Sequence, residues 1–135
     1  MTEEVYERVT EVLTHESESE VNRLMADSIR ILAIYNGVSW ASEVIPDLIK
    51  LSKFLGRFDV FEPEIVDEAL NKLESEGVVT IEEKARGAFM YPGTFMDKFI
   101  RLVNLNETLK VLKKDQKFMS YIHERHRKIK ESLGR

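Results

Sequence analysis

Val5, Val9, Val12 and Leu13 fall at i, i+4, i+7 and i+8, which lines one face of a helix. The polar run "THESESE" at 14–20 breaks that pattern. Ser17 with Glu20 then fits the Ser-x-x-Glu capping box of a second helix. This helix carries Val21, Leu24, Met25, Ser28, Leu32 and Tyr35 on one stripe and stops at Asn36-Gly37. A third helix within 39–56 has Val44, Leu48, Leu51 and Leu55 on one face, with Ile45, Ile49 and Phe54 beside it. It is apolar most of the way round, so it is expected at the centre of the fold. Ser39 or Ser42 can cap it, Pro46 must lie close to its start, and Gly56 stops it.

Pro63 fits the first position of a fourth helix, in which Val66, Ala69, Leu70 and Leu73 face inward before Gly77. "VVTIE" at 78–82 and "AFMY" at 88–91 read as the strands of a β-hairpin, with "EKARG" as its charged turn. Thr94 with Asp97 resembles another capping box, and a long helical region is expected after it. There Phe95, Leu102, Leu105, Leu109, Leu112, Gln116 and Met119 give a heptad-like seam with one polar member, in steps of three and four from Leu102 onward. Asn106 can cap a new helix within it. The tail continues as a basic helix, with Ile122, Ile129 and Leu133 less regularly placed.

Charge and composition narrow the function classes. Over 135 residues, 43% are hydrophobic and 33% charged, which suits one domain with a real core. The absence of cysteine excludes disulfides, thiolate catalysis and cysteine-ligated metals, and fits a reducing, cytoplasmic setting. The acidic, amphipathic N-terminus does not read as a signal peptide, and no apolar run reaches the ~20 residues that span a bilayer. Residues 1–94 carry a net charge of −10 and residues 95–135 a net charge of +6. The basic tail can bind nucleic acid, dock on an acidic surface of a partner subunit, or be a solvated helix.

Three helices followed by a two-stranded wing resemble the winged helix-turn-helix family. Val21–Gly37, Ser39–Gly56, Pro63–Gly77 and Val78–Tyr91 carry the likeness. "ALNKLESEGVVTI" at 69–81 is similar to the exit from recognition helix to wing in MarR-like and PadR-like regulators. The resemblance implies a mainly α fold with a small β-hairpin, organised in three parts. These are an N-terminal helix and linker (1–20), a winged-helix domain (21–94) and a long coiled-coil-like helical arm (95–135). In those families helices outside the wing domain form a homodimer. The apolar seam here must be buried somewhere: in a homodimer interface of Phe95, Phe99, Leu102, Leu105, Leu109, Leu112, Gln116 and Met119, or by folding back onto its own domain.

The chain departs from the DNA-reading pattern at the helix expected to face DNA. Residues 62–76 hold Glu62, Glu64, Asp67, Glu68, Glu74 and Glu76 against Lys72 alone. Acids in a first turn suit the helix dipole, but several on an exposed face repel phosphate. Candidate phosphate contacts are therefore Lys72, then Lys84 and Arg86 at the wing tip. The tail adds Lys110, Lys113, Lys114, Lys117, Arg125, Arg127 and Lys128, which serve equally as solvated charges beside a seam.

His123 and His126 lie three apart on a presumed helix. A third metal ligand would have to be His15, Glu124 or Asp115, so no metal and no cofactor is expected. No catalytic constellation is present, and Trp40 reads as a packing residue. Two function classes remain: a dimeric DNA-associated transcriptional regulator using the wing and the basic arm, or a protein-interaction module whose acidic helix docks a basic partner.

Overall fold

The computed structural model of the chain describes residues 2–87 and 93–134. Its elements are α1 (Thr2–Thr14), α2 (Glu20–Ile34), β1 (Val38–Trp40), α3 (Ala41–Phe54), α4 (Pro63–Ser75), β2 (Val79–Gly87), β3 (Thr94–Leu102), α5 (Leu105–Leu112) and α6 (Gln116–Leu133). The fold is mainly helical, with one small antiparallel sheet in the order β1-β3-β2.

The central helix is α2, not α3. Every residue from Leu24 to Ala33 is buried, including Asp27, Ser28 and Arg30. α3 buries Val44, Leu48, Leu51 and Ser52, while Ile49 and Phe54 are each 38% exposed. Apolar content alone misjudged the two because three polar side chains inside α2 are satisfied or enclosed by neighbouring elements. Ser19 caps α2 by accepting from the Asn22 amide at 3.0 Å, so the cap lies two residues beyond Ser17. Neither Ser39 nor Ser42 caps α3. Trp40 stands at that position without a side-chain cap, and Ser42 donates to Asp97 instead. Pro46 lies in the second turn of α3, deeper than expected, where it forgoes a backbone bond to Ser42.

The largest correction falls on 94–102. This stretch is β3, a nine-residue central strand, and not the start of a helical arm. It pairs antiparallel with β1 (Ser39 opposite Ile100) and with all of β2 (Ile81 opposite Ile100, Gly87 opposite Thr94). Thr94 and Asp97 are therefore no capping box. "EKARG" is part of β2 and not a turn, and the pairing with β3 runs as far as Gly87. The strand expected over 88–91 lies outside the described residues.

The seam from Leu102 to Met119 is consequently divided among β3, α5 and α6. Leu102 (4% exposed) and Leu112 (0%) are buried in the chain's own core, and Leu105 and Leu109 pack against it. α5 lies along α1, whose Val5, Val9 and Val12 are buried. The continuous arm and its eight-residue interface do not exist as one helical face. The sheet also carries the body of the fold past residue 94 to Leu102.

Three local signals hold as expected. Pro63 opens α4, and Val66, Ala69, Leu70 and Leu73 are its buried face. Asn36 and Gly37 turn the chain out of α2 at φ 61° and 89°. Gly77 ends α4 at φ 77°, with the Arg8 guanidinium so close that a Cβ would stand 2.8 Å from it. That guanidinium donates to the Glu76 carbonyl and so joins α1 to the last turn of α4.

Candidate nucleic-acid interface

α4 turns its polar side to solvent. Glu64, Asp67, Glu68, Asn71, Lys72 and Ser75 line one open surface. Their spacing follows from burying Val66, Ala69, Leu70 and Leu73 on the other side. Three carboxylates against the single Lys72 ammonium leave this face net negative. A phosphate backbone gains affinity from cations and loses it to such a face. Lys72 is exposed, but it stands among acids.

The sheet offers a different surface. Strand alternation puts Ile100 and Leu102 toward the core, so Phe95, Asp97, Phe99 and Arg101 of β3 share the outward face. Register brings Trp40 of β1 beside Phe99, with ring centres 5.1 Å apart and nearly edge to face. From β2, Lys84 lies 4.9 Å above the Phe99 ring, and Arg86 lies 4.6 Å above Trp40 and 5.5 Å from Phe95. Arg101 stands 5.5 Å from Phe99 on its own strand. Aromatic faces attract cations through their quadrupole, so the basic side chains are held flat on the sheet.

Lys84 and Arg86 are thus strand residues on this face, not residues of the hairpin tip. Arg86 also meets Asp97 at 3.1 Å and Glu43 at 3.8 Å, while Lys84 reaches Glu82 at 3.7 Å. Burial pushes the Asp97 carboxyl up, but the Ser42 hydroxyl, the Lys98 amide and Arg86 outweigh it and hold it below its usual range. Beside this face a groove of about 450 Å³ is lined by Tyr35, Val38, Ser39, Trp40, Glu43, Pro46, Asp47 and Phe99.

The basic residues of the C-terminal helices do not form one patch. Lys110 bonds Glu107 at 2.8 Å, and Lys114 bonds the Tyr6 hydroxyl at 3.0 Å. Lys117 bonds Glu16 at 3.2 Å. Arg125 lies over Tyr35 at 5.3 Å and Tyr121 at 6.0 Å. Arg127 is gripped by Glu124 and Glu131 on its own helix. Among the described residues of the C-terminal helices, Lys113, Lys128 and Lys130 are exposed with no carboxylate within 4 Å.

Sequence reasoning missed a charged cluster built around α2. The Arg30 guanidinium is 0% exposed and meets three carboxylates. It bonds Asp27 at 2.7 Å, both Glu16 oxygens at 3.0 and 2.8 Å, and both Asp115 oxygens at 2.7 and 3.1 Å. Arg57 meets the other Asp27 oxygen at 2.9 Å, and Asp59 joins Arg57 to Arg23 at 3.4 and 3.1 Å. Burial alone would lower the Arg30 pKa, yet Glu16 and Asp115 raise it above its ordinary value. Burial pushes Glu16 up, but Arg30 and Lys117 hold it below its ordinary value.

Asp115 has a second task, since it caps α6 by accepting from the Phe118 amide at 3.0 Å. Arg30 therefore fixes the residue from which α6 departs. No local pattern marks Arg30, because its partners Glu16 and Asp115 lie 14 and 85 residues away.

Asp115 is thereby committed to Arg30 and the cap. His15 sits against Glu18. Among the described residues no group of histidines and carboxylates is arranged to hold a metal ion. No described helix is long and apolar enough to cross a membrane. Comparison of the chain with protein-family models, curated proteins and solved structures finds no match.

Proposed function

We propose that this chain is a winged-helix domain that associates with DNA through the outward face of its sheet, with α4 contributing little. The order α2-β1-α3-α4-β2-β3 and the sheet order β1-β3-β2 support the winged-helix reading. In that scheme β2 and β3 are the arms of the wing. The observation that carries the proposal is the sheet face, where Lys84, Arg86 and Arg101 lie on Trp40, Phe95 and Phe99. Lys84 and Arg101 make the phosphate contacts. Arg86 is spent largely on Asp97 and holds the surface together. Lys113 and Lys128 add long-range attraction without a shared patch.

Titration with generic duplex DNA across a salt series tests this. Binding is expected at ~50 mM salt, with log K falling by about 0.9 per phosphate neutralised as log[salt] rises. Lys84→Glu with Arg101→Glu should abolish most of it. Full affinity in that variant, or no binding at ~50 mM salt, removes the sheet face from DNA recognition.

A second reading rests on the outward face of α4: a protein-interaction module that docks a basic partner on Glu64, Asp67 and Glu68. Asp67→Asn with Glu68→Gln separates the two. It should leave DNA affinity unchanged if α4 is held away from the duplex, and weaken a basic partner. The dimer expected from the seam loses its motive, because Leu102 and Leu112 are buried within one chain. A light-scattering mass of 15.7 kDa is expected.

A further inference from the structure

We infer that the distal half of α6 is a docking helix for an amphipathic helix of another protein, one with carboxylates flanking its apolar stripe. The inference does not depend on DNA binding. α6 has 18 residues, of which only Phe118 and Tyr121 are buried, and both lie in its first two turns. From His123 onward none is buried, so at 1.5 Å per residue roughly 15 Å of helix extends with no residue enclosed by the body.

That overhang is not an ordinary solvated helix. Met119, Ile122, His126, Ile129 and Leu133 follow one another at steps of three, four, three and four. Once the helix starts at Gln116 these positions share one face. The stripe begins against the core, where Ile122 is partly packed, and runs outward uncovered. Met119 is 43% exposed, Ile129 53% and Leu133 82%. An unburied helical segment of about a dozen residues or fewer is marginal in water. Here Arg127 with Glu124 and Glu131, at i−3 and i+4 on the far side, holds it helical in advance of binding.

Charge selects the occupant. Lys130, with His123 a turn before it, flanks the stripe on one side, and Arg125 lies at the other edge, where it also rests on Tyr35 and Tyr121. Both acids, Glu124 and Glu131, are on the opposite side and are engaged by Arg127. A second copy of α6 would bring these basic flanks against each other in either orientation, so self-pairing is disfavoured. A helix with apolar residues at matching spacing and Glu or Asp beside them is complemented throughout. Arg30 and Asp115 fix the departure of α6 and so present the stripe in one direction.

The test uses the full chain and two synthetic helical peptides of three heptads. Both have Leu at the two apolar positions, and the flanking positions are all Glu in one and all Lys in the other. Fluorescence anisotropy should show binding of the Glu peptide and not of the Lys peptide. Ile129→Asp with Leu133→Asp should weaken it by more than about tenfold, since two apolar side chains lose their burial. Both positions are exposed, so circular dichroism should show the variant folded. No binding of the Glu peptide, or equal binding of both, overturns the inference. So does a doubled mass in the free chain that the variant abolishes, which would assign the stripe to self-association. Binding to anionic vesicles lost in the same variant, without peptide binding, would assign it to a lipid surface and likewise overturn it.

Discussion

Arg30 and Arg127 are each held by more than one carboxylate, and both have their pKa raised above the ordinary value. Arg30 is fully enclosed, whereas the Arg127 side chain is 52% exposed. Arg127 touches only its own helix. Arg30 joins the α1–α2 connection, α2 and the α5–α6 corner. The difference teaches where charge becomes architecture. In water the exposed pair is screened, and its removal leaves solvated carboxylates. Inside, removal of Arg30 leaves Asp115 with no cation and leaves Asp27 and Glu16 with one each, Arg57 and Lys117, in a site largely closed to water.

Breaking the inner cluster should have the largest effect. Arg30→Met is expected to cost about 3–5 kcal/mol, the range for leaving a buried charge without its partner. Domains have only about 5–15 kcal/mol in all, so the variant should show a greatly lowered denaturation midpoint or fail to fold. Chemical denaturation with circular dichroism measures this. A loss below about 1 kcal/mol would mean that the cluster is idle.

Next in size is Gly77→Ala. Its left-handed backbone costs a Cβ-bearing residue about 1 kcal/mol, and displacing Arg8 from the Glu76 carbonyl adds to that. A midpoint equal to that of the native chain would separate α1 from the end of α4.

Acid sharpens the comparison further. The Glu16 carboxyl is lowered from its ordinary 4.5 in the folded chain. Its contribution is therefore present above pH 4.5 and is lost as pH falls through the lowered value. Glu16→Gln should flatten the acid limb of stability against pH, and an unchanged limb would sink the assignment. At the small end, Arg127→Ala should leave the thermal midpoint of the body unchanged while fraying the end of α6, read as a small loss of helical signal.

Local order was legible where short-range chemistry decides it. The stripe of α4, its proline start and its glycine stop are all readable within fifteen residues of sequence. β3 was not legible. Its outward face carries Phe95 and Phe99, which blur the alternation against Ile100 and Leu102, and the leucines that follow suggest a helix. Only pairing with both β1 and β2 makes it a strand. The candidate interface was half legible for the same reason. Lys84 and Arg86 stand out as charges, but Trp40, Phe99 and Arg101 join them only through strand register.

The sequence by itself determined the helices α1 to α4, the left-handed turns at Asn36-Gly37 and Gly77, and the acidic face of α4, because caps, glycine stops and periodicity act within a few turns of chain. Tertiary structure decided which helix is central, that residues 94–102 are a strand, and which cations are free. Those outcomes depend on partners far apart in the chain. Burial makes an unpaired strand edge or an unpaired charge too costly to leave without them.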